Sequence, residues 1–394
     1  MFKKSLAAVA VLGAFAASSF AADVTFYGKV DMGLSYSNAE TTNFDGAKKT
    51  KEALTLDSGV GLASRIGVKA TEQLGNGDKV AFKLEGDFNA DDGDMNKTDR
   101  LWQREASLSY IADWGTLYAG RYGTFSGAAG STDIVMSRMD VFDGGHKGVG
   151  LLGFDRTDNS ISYLSPKVAG FQAAAMYSFK KENIDKDGVK VETAEGHAES
   201  DRFAGVALTY DIGALQTAVS YEQLIRKNAA SSIDDGKIVT FGGNYDFDMF
   251  KLFVGGQYFE GMTDAIGGAD ALKAANAPAL READQVFEGV GTFALTHKGI
   301  EGYGLHAGVE FQALAGNFEF GAYYIDAEAN LSVDELTGTE DGEYFGVNGR
   351  YIYKLSKQTE IRSSVAYDNT KWGSEGDEWK KDRYLACVSL TYNF

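Results

Sequence analysis

The sequence predicts an all-β protein, a 16-stranded antiparallel transmembrane β-barrel with long outer loops. Three observations predict it. Apolar and polar residues alternate along most of the chain, which is the spacing of a strand with two unlike faces. The connections between these strands alternate too, short then long, as in barrels whose turns lie on one side of a membrane and whose loops lie on the other. The composition is 48 Gly, 20 Tyr and 25 Phe with only 2 Pro in 394 residues, which suits sheets that must not lose ladder hydrogen bonds to proline.

Taken in chain order, residues 1–21 read as a cleaved signal peptide. Lys3 and Lys4 precede an apolar stretch from Leu6 to Phe20, and Ser19-Phe20-Ala21 is a small-x-small cleavage site. Residues 22–394 then form a single barrel domain with no Pro/Ser-rich linker. No later apolar run approaches the ~18 residues of a spanning helix.

The first strand places Phe26, Val30, Met32 and Leu34 on one face and Thr25, Lys29, Asp31 and Ser35 on the other. Leu215 to Glu222, Phe345 to Tyr353 and Tyr384 to Phe394 repeat the pattern. Short turns fall at Leu74 to Asp78, Asp113-Trp114-Gly115, Ser165-Pro166-Lys167, Asp211-Ile212-Gly213, Asp246 to Asp248, Ala315-Gly316-Asn317 and Leu355-Ser356-Lys357. Long charged loops are expected near 38–59, 90–102, 122–155, 181–202, 226–237, 261–302, 330–342 and 369–382.

Sixteen strands fit this pattern, and Gln285 to His297 is a further candidate. Termini on one side of the membrane require an even number, so 285–297 is assigned to the sixth loop. Tyr36, Tyr210, Tyr367 and Phe394, at strand ends, suit interfacial girdles. Closure leaves no unpaired backbone in lipid, and sixteen strands enclose water rather than a packed core. A mean hydropathy of −0.23 is then no contradiction, because half of each strand faces water.

A net charge of −18 argues against a nucleic-acid surface, which needs clustered Lys and Arg. One cysteine cannot form an internal disulfide, and Cys387 reads as a passive small residue. Asp87, Asn89 and Asp91 begin like a calcium loop, but Asp92 stands where Gly is needed and Thr98 where Glu is needed. His146, His197, His297 and His306 are isolated, and Gly123 and Ser126 do not complete a nucleophile elbow. No catalytic, metal or cofactor-binding residues are expected.

Four stretches carry a family resemblance: Phe26-Tyr27-Gly28-Lys29-Val30; Ser64 to Lys69 running on to Leu74-Gly75-Asn76-Gly77; Gly120-Arg121-Tyr122-Gly123; and Arg156 to Pro166 followed by Gly170-Phe171. The chain also ends in Tyr392-Asn393-Phe394, similar to the aromatic signal read by the barrel-assembly machinery. In order and spacing these stretches resemble the general diffusion porins of Gram-negative outer membranes. The resemblance implies a homotrimer of barrels in contact with lipid and lipopolysaccharide, passing small hydrophilic solutes and ions. It also implies a third loop, about 122–155, folded into the barrel to form a constriction.

By that resemblance the basic wall is Lys29, Arg65, Arg104 and Arg156, with Arg121, and the facing loop acids are Asp133, Asp140 and Asp143. Strand parity tests the wall independently. Lys29 shares a face with Thr25 and Asp31, Arg65 lies opposite Ile66 and Val68, and Arg156 falls with Asp158, Ser160 and Ser162, so these three point inward. Arg104 has the parity of Ala106, Leu108 and Tyr110, which look outward, so a bulge must reset it or the assignment fails. The loop departs from the family's usual Pro-Glu-Phe-Gly turn at Met139-Asp140-Val141-Phe142.

Acid runs at Asp91-Asp92-Gly93-Asp94, Glu192 to Asp201 and Asp334 to Glu343 should concentrate cations at the mouth while the basic wall opposes them. The net expectation is a weak cation preference. The competing functions are a substrate-selective channel for sugars, amino acids or organic acids and, from another class, an outer-membrane barrel enzyme or adhesin.

Overall fold

The computed structural model describes residues 23–95, 100–127, 130–143, 145–146, 149–181, 195–198, 200–227, 233–263, 294–333, 336–374 and 377–394. The expected signal peptide lies outside the described residues. The strands are β1 (Thr25–Thr42), β2 (Lys48–Ser58), β3 (Arg65–Gln73), β4 (Lys79–Asp87), β5 (Glu105–Ala112), β6 (Gly115–Gly123), β7 (Arg156–Leu164), β8 (Phe171–Ser178) and β9 (Arg202–Ile212). They continue as β10 (Leu215–Ile225), β11 (Gly236–Asp246), β12 (Lys251–Met262), β13 (Ala294–Ala313), β14 (Gly316–Val333), β15 (Leu336–Lys354), β16 (Thr359–Ser374) and β17 (Asp377–Asn393).

These seventeen segments make a closed barrel of sixteen strands, because β2 and β3 share one place. β1 pairs with β2 from Met32↔Ser58 outward and with β3 from Thr25↔Lys69 to Lys29↔Arg65. Between them Gly59 turns at a φ of +68°, a conformation cheap only for glycine. The break is held from inside by Asp31. Its carboxylate accepts from the Gly61 amide at 2.8 Å and from the hydroxyls of Ser389 and Thr391. β1 pairs with β17 from Lys29↔Asn393 to Thr42↔Lys380, and this closes the ring and removes the sheet edges.

The two faces of the wall are those the alternation predicts. On β16, Val365 is 61 % exposed while Ser364 beside it is 9 % exposed. Leu34, Leu108, Val206, Phe241, Val254, Leu305, Phe345 and Leu390 continue the outward apolar band. In water so wide an apolar surface would drive association; in a bilayer it is the lipid-facing surface. Aromatic groups pack together near the short turns: Trp114 stacks on Tyr110 and Tyr163, and Phe318 lies tilted against Tyr351.

Three of the eight expected loops are strand instead. Within 38–59, β1 runs to Thr42 and β2 begins at Lys48, leaving a tight turn closed by the Asn43 amide on the Ala47 carbonyl at 2.8 Å. In 330–342 and 369–382, β14 and β15 extend to Val333 and Leu336, and β16 and β17 to Ser374 and Asp377. The ladder is made by the backbone, so a change to polar side chains on both faces marks emergence from lipid, not the end of a strand. The acids Glu340 to Glu343 therefore sit on β15.

The assignment of 285–297 to a loop is corrected in part. Ala294 and Leu295 pair with Ser332 and Leu331, so Ala294 to His297 prolong β13 rather than adding a strand. Residues 285–293 lie outside the described residues.

Candidate functional site

The site is built where β1, β3, β4 and β5 present inner-facing positions and where the segment between β6 and β7 meets the wall. Lys29 stands opposite Arg65 across the β1–β3 ladder. Glu85, inward on β4, gathers the cluster. It accepts from the Tyr27 hydroxyl at 2.8 Å and the Arg104 Nε at 2.7 Å, and Arg65 Nη1 lies 3.8 Å away. Glu105 accepts from Lys83 Nζ at 2.8 Å and from the Ser131 hydroxyl at 2.6 Å. Among the described residues Lys29 forms no ion pair.

Arg104 reaches the inward Glu85 despite its parity, because β5 begins only at Glu105 and the bend before it frees residue 104 from alternation. Near Arg156 the strict alternation used by the parity argument is interrupted. The β6–β7 register shifts between Gly120 and Tyr122, and Thr157 and Ser160 share a side, their hydroxyls 2.7 Å apart. This bulge interrupts the alternation, so Asp158 and Ser160 do not share a face as expected. Arg156 Nε donates to the Arg104 carbonyl at 2.8 Å and Arg121 Nε to the Gln103 carbonyl at 2.7 Å, while Arg121 and Arg100 pair with Asp158.

The segment 124–155 leaves β6 and contacts inner positions of distant strands. The Phe125 amide and the Ser126 hydroxyl donate to Glu222 on β10, which is fully buried. A single helical turn, Met136–Met139, follows. Asn244 on β11 donates to the Arg138 carbonyl at 2.6 Å, and Arg138 pairs with Asp211 at 2.9 Å. His146 Nε2 lies 2.9 Å from the Ser364 hydroxyl on β16, and Ser364 in turn contacts Cys387 at 2.8 Å.

The loop acids are not paired with the wall cations. Asp140 accepts from the Phe142 amide at 2.8 Å and the Tyr323 hydroxyl at 2.9 Å. Asp133 lies against Asp143, and Asp143 is exposed with a φ of 59°. Burial, with the Asp143 carboxylate alongside, holds the Asp133 carboxyl well above the usual carboxylate range; burial likewise raises that of Asp140. Among the described residues, none of the three forms a salt bridge with Lys29, Arg65, Arg104, Arg121 or Arg156.

Sequence reasoning missed the wall acids Glu85 and Glu105 and the cations Arg350 and Arg362. Arg350 faces Glu319 across the β14–β15 ladder and lies over the Phe142 ring at 4.9 Å. Parity could have found Glu85, which alternates with Leu84 and Gly86 on the face of Lys83. It could not have found Glu222, whose partners are 96 and 97 residues earlier in the chain. Among the described residues no cluster of His, Cys, Asp and Glu could hold a metal ion.

A ring of sixteen strands, greasy outside and charged within, defines a membrane-spanning channel protein. The chain belongs to the Gram-negative porin family, which matches residues 7–373. It is 32 % identical to an outer membrane porin protein of Bordetella pertussis over 278 residues, 64 % of this chain and 68 % of that one. It is also 32 % identical to outer membrane porin protein 32 of Delftia acidovorans over 264 residues, with the same coverage.

Among solved structures it resembles the anion-selective porin from Comamonas acidovorans (TM-score 0.58, 19 % identity, 95 % of this chain and 100 % of that one) and OmpF of Salmonella typhi in complex with daunomycin (TM-score 0.57, 15 % identity, 96 % and 99 %). At these identities the structural likeness shows the fold. The protein is an integral outer-membrane porin, a channel for solutes and ions and not an enzyme.

Proposed function

We propose that this porin is a general diffusion channel. Its narrow zone lies between the basic wall (Lys29, Arg65, Arg104, Arg121 and Arg156) and the segment 122–155 carrying Asp133, Asp140 and Asp143. The observation that carries this reading is the span of contacts made by that segment. It starts at β6, meets Glu105 through Ser131, and reaches Glu222, Tyr323 and Ser364 on β10, β14 and β16. A chain crossing between such distant wall positions reduces the free cross-section. Opposed charges across a narrow opening orient water and dipolar solutes and disfavour apolar ones. Asp143, being exposed, is the loop acid that solutes meet, whereas Asp140 is committed to Tyr323 and the Phe142 amide.

The mature protein is 22–394 after loss of the signal peptide, and it assembles as a homotrimer in contact with lipopolysaccharide. The barrel-assembly machinery recognises the C-terminal Phe394. The short strands β3 to β8 give the lower wall that suits subunit packing.

Liposome swelling with sugars of graded size tests the function. Uptake that depends on size and not on sugar chemistry supports a general porin, and saturable uptake of one sugar supports the selective channel instead. In planar bilayers, closures in threes support the trimer. Reversal potentials in a salt gradient decide between the acid-rich mouth, which favours cations, and the basic wall, which favours anions.

A further inference from the structure

The wall strands β11 to β15 share a short pattern that the charge argument does not use. Each has an inward glycine followed two residues later by an inward polar side chain: Gly242 and Asn244, Gly255 and Gln257, Gly304 and His306, Gly321 and Tyr323, Gly346 and Asn348. The pairs are aligned across the sheet, with Gly242 opposite Gly255, His306 opposite Tyr323, and Tyr323 opposite Gly346.

The glycines receive side chains of the segment 139–151. A Cβ on Gly242 would stand 2.8 Å from the Cβ of Met139, one on Gly321 2.9 Å from the Phe142 ring, and one on Gly304 2.9 Å from Leu151. Gly308, next along β13 and opposite Gly321, receives Val141 at 2.7 Å. On Gly255 and Gly346 a Cβ would meet Met139 and Val149. At Gly255, Gly304, Gly308, Gly321 and Gly346 the atom nearest an added Cβ belongs to the loop, whereas at Gly242 the Val254 carbonyl of β12 lies nearer still, at 2.4 Å.

The polar members hold the loop's polar groups. Gln257 clamps one residue from both sides, accepting from the Leu152 amide at 2.7 Å and donating to its carbonyl at 2.9 Å. Asn348 donates to the His146 and Val149 carbonyls at 3.2 and 3.3 Å. Asn244 holds the Arg138 carbonyl, and Tyr323 donates to Asp140 with His306 stacked on its ring at 4.4 Å. Apolar loop side chains thus enter glycine seats, and the intervening loop groups meet hydrogen-bonding partners.

The geometry points to a docking track: the five-fold Gly-x-polar pattern on β11–β15 positions the segment 138–152 and thereby sets the bore of the channel. These are positioning residues, and the inference rests on the reading of 122–155 as the constriction. Two measurements test it, each on the full-length protein refolded in detergent with the compact, heat-modifiable gel band of the barrel as control.

In the first, Met139→Cys and Gly255→Cys are combined in a Cys387→Ser background. The Met139 Cβ lies 3.3 Å from where a Gly255 Cβ would stand, close to the ~3.8 Å typical of a disulfide, so oxidation should cross-link the pair. In the second, Gly321→Val should lower single-channel conductance about twofold with the barrel band intact, because an overfilled seat pushes the loop into the lumen. Gly308→Ala, one methyl against Val141, replaces it should Gly321→Val not fold. A folded barrel that does not cross-link overturns the track. The cross-link reads the seat without any conductance, so a protein that cross-links while its folded glycine variants conduct like wild type sinks the constriction reading and the control of bore, not the seat.

Discussion

The wall around β1 and β3–β5 and the wall of β11–β15 obey the same alternation but fill their inner positions in opposite ways. On the first, Tyr27, Lys83, Arg65 and Arg104 converge on Glu85 and Glu105. Long charged side chains there satisfy one another and meet the loop segment at Ser131. On the second, glycines receive loop side chains and amides bond the loop backbone. The charged wall touches the loop through Ser131, while the glycine wall receives it along β11–β15. The charged wall should therefore govern which ions pass, and the glycine wall how much passes.

The largest effect is expected where the loop segment first leaves the charged wall. Glu222 is fully buried and accepts from the Phe125 amide and the Ser126 hydroxyl. Glu222→Ala orphans those donors, at roughly 1–3 kcal/mol for each buried group left unsatisfied. Limited proteolysis within 124–155 should accelerate at least about tenfold on that basis, since ~1.4 kcal/mol is a factor of ten. The heat-modifiable barrel should persist. Unchanged cleavage would mean that the remaining wall contacts hold the segment without Glu222.

Next comes selectivity without a change of bore. Lys29 forms no ion pair among the described residues, so its charge is the least neutralised of the basic wall. Lys29→Glu should move the reversal potential toward cations, changing the permeability ratio by about threefold, with conductance close to wild type. Glu85→Gln acts in the other direction and more weakly. It leaves Arg65 and Arg104 less neutralised, and the shift toward anions should stay under about twofold because Asp87 lies 3.7 Å from Arg104. A conductance change in either variant larger than its selectivity change would erase the proposed division between the two walls.

How much of this was legible beforehand follows from what alternation encodes. Strand count and closure need only the two-residue period, and they stand; the same period sets Lys29 opposite Arg65 on neighbouring strands. Parity pointed Arg104 outward, yet a bend before β5 lets it reach Glu85, and a bulge between β6 and β7 interrupts the alternation beside Arg156; one sequence announces neither. Strand ends were misplaced at Thr42, Val333 and Ser374 because polarity tracks the membrane boundary while the ladder continues beyond it. Contacts between the loop segment and the wall are set by tertiary closure: Glu222 with Phe125, Gln257 with Leu152, Tyr323 with Asp140. No spacing along the chain could pair them.

The smallest effect concerns pH. Asp133 carries a folded-state pKa raised to about 9 by burial, with Asp143 beside it and Glu222 on β10 adding further negative charge. A carboxyl raised above its unfolded value of about 4 favours the folded loop while protonated. That contribution is complete below about pH 4 and declines as the pH rises through the folded value near 9. On alkaline titration the segment should loosen, and open-channel noise should rise by less than about twofold, since its wall contacts at Glu222, Gln257 and Asn348 remain. Asp133→Asn cannot ionise and should lose most of this response, while the part carried by Asp140, held by Tyr323 and the Phe142 amide, remains. An alkaline response undiminished in Asp133→Asn would place the titrating group elsewhere and leave both walls indifferent to this carboxyl.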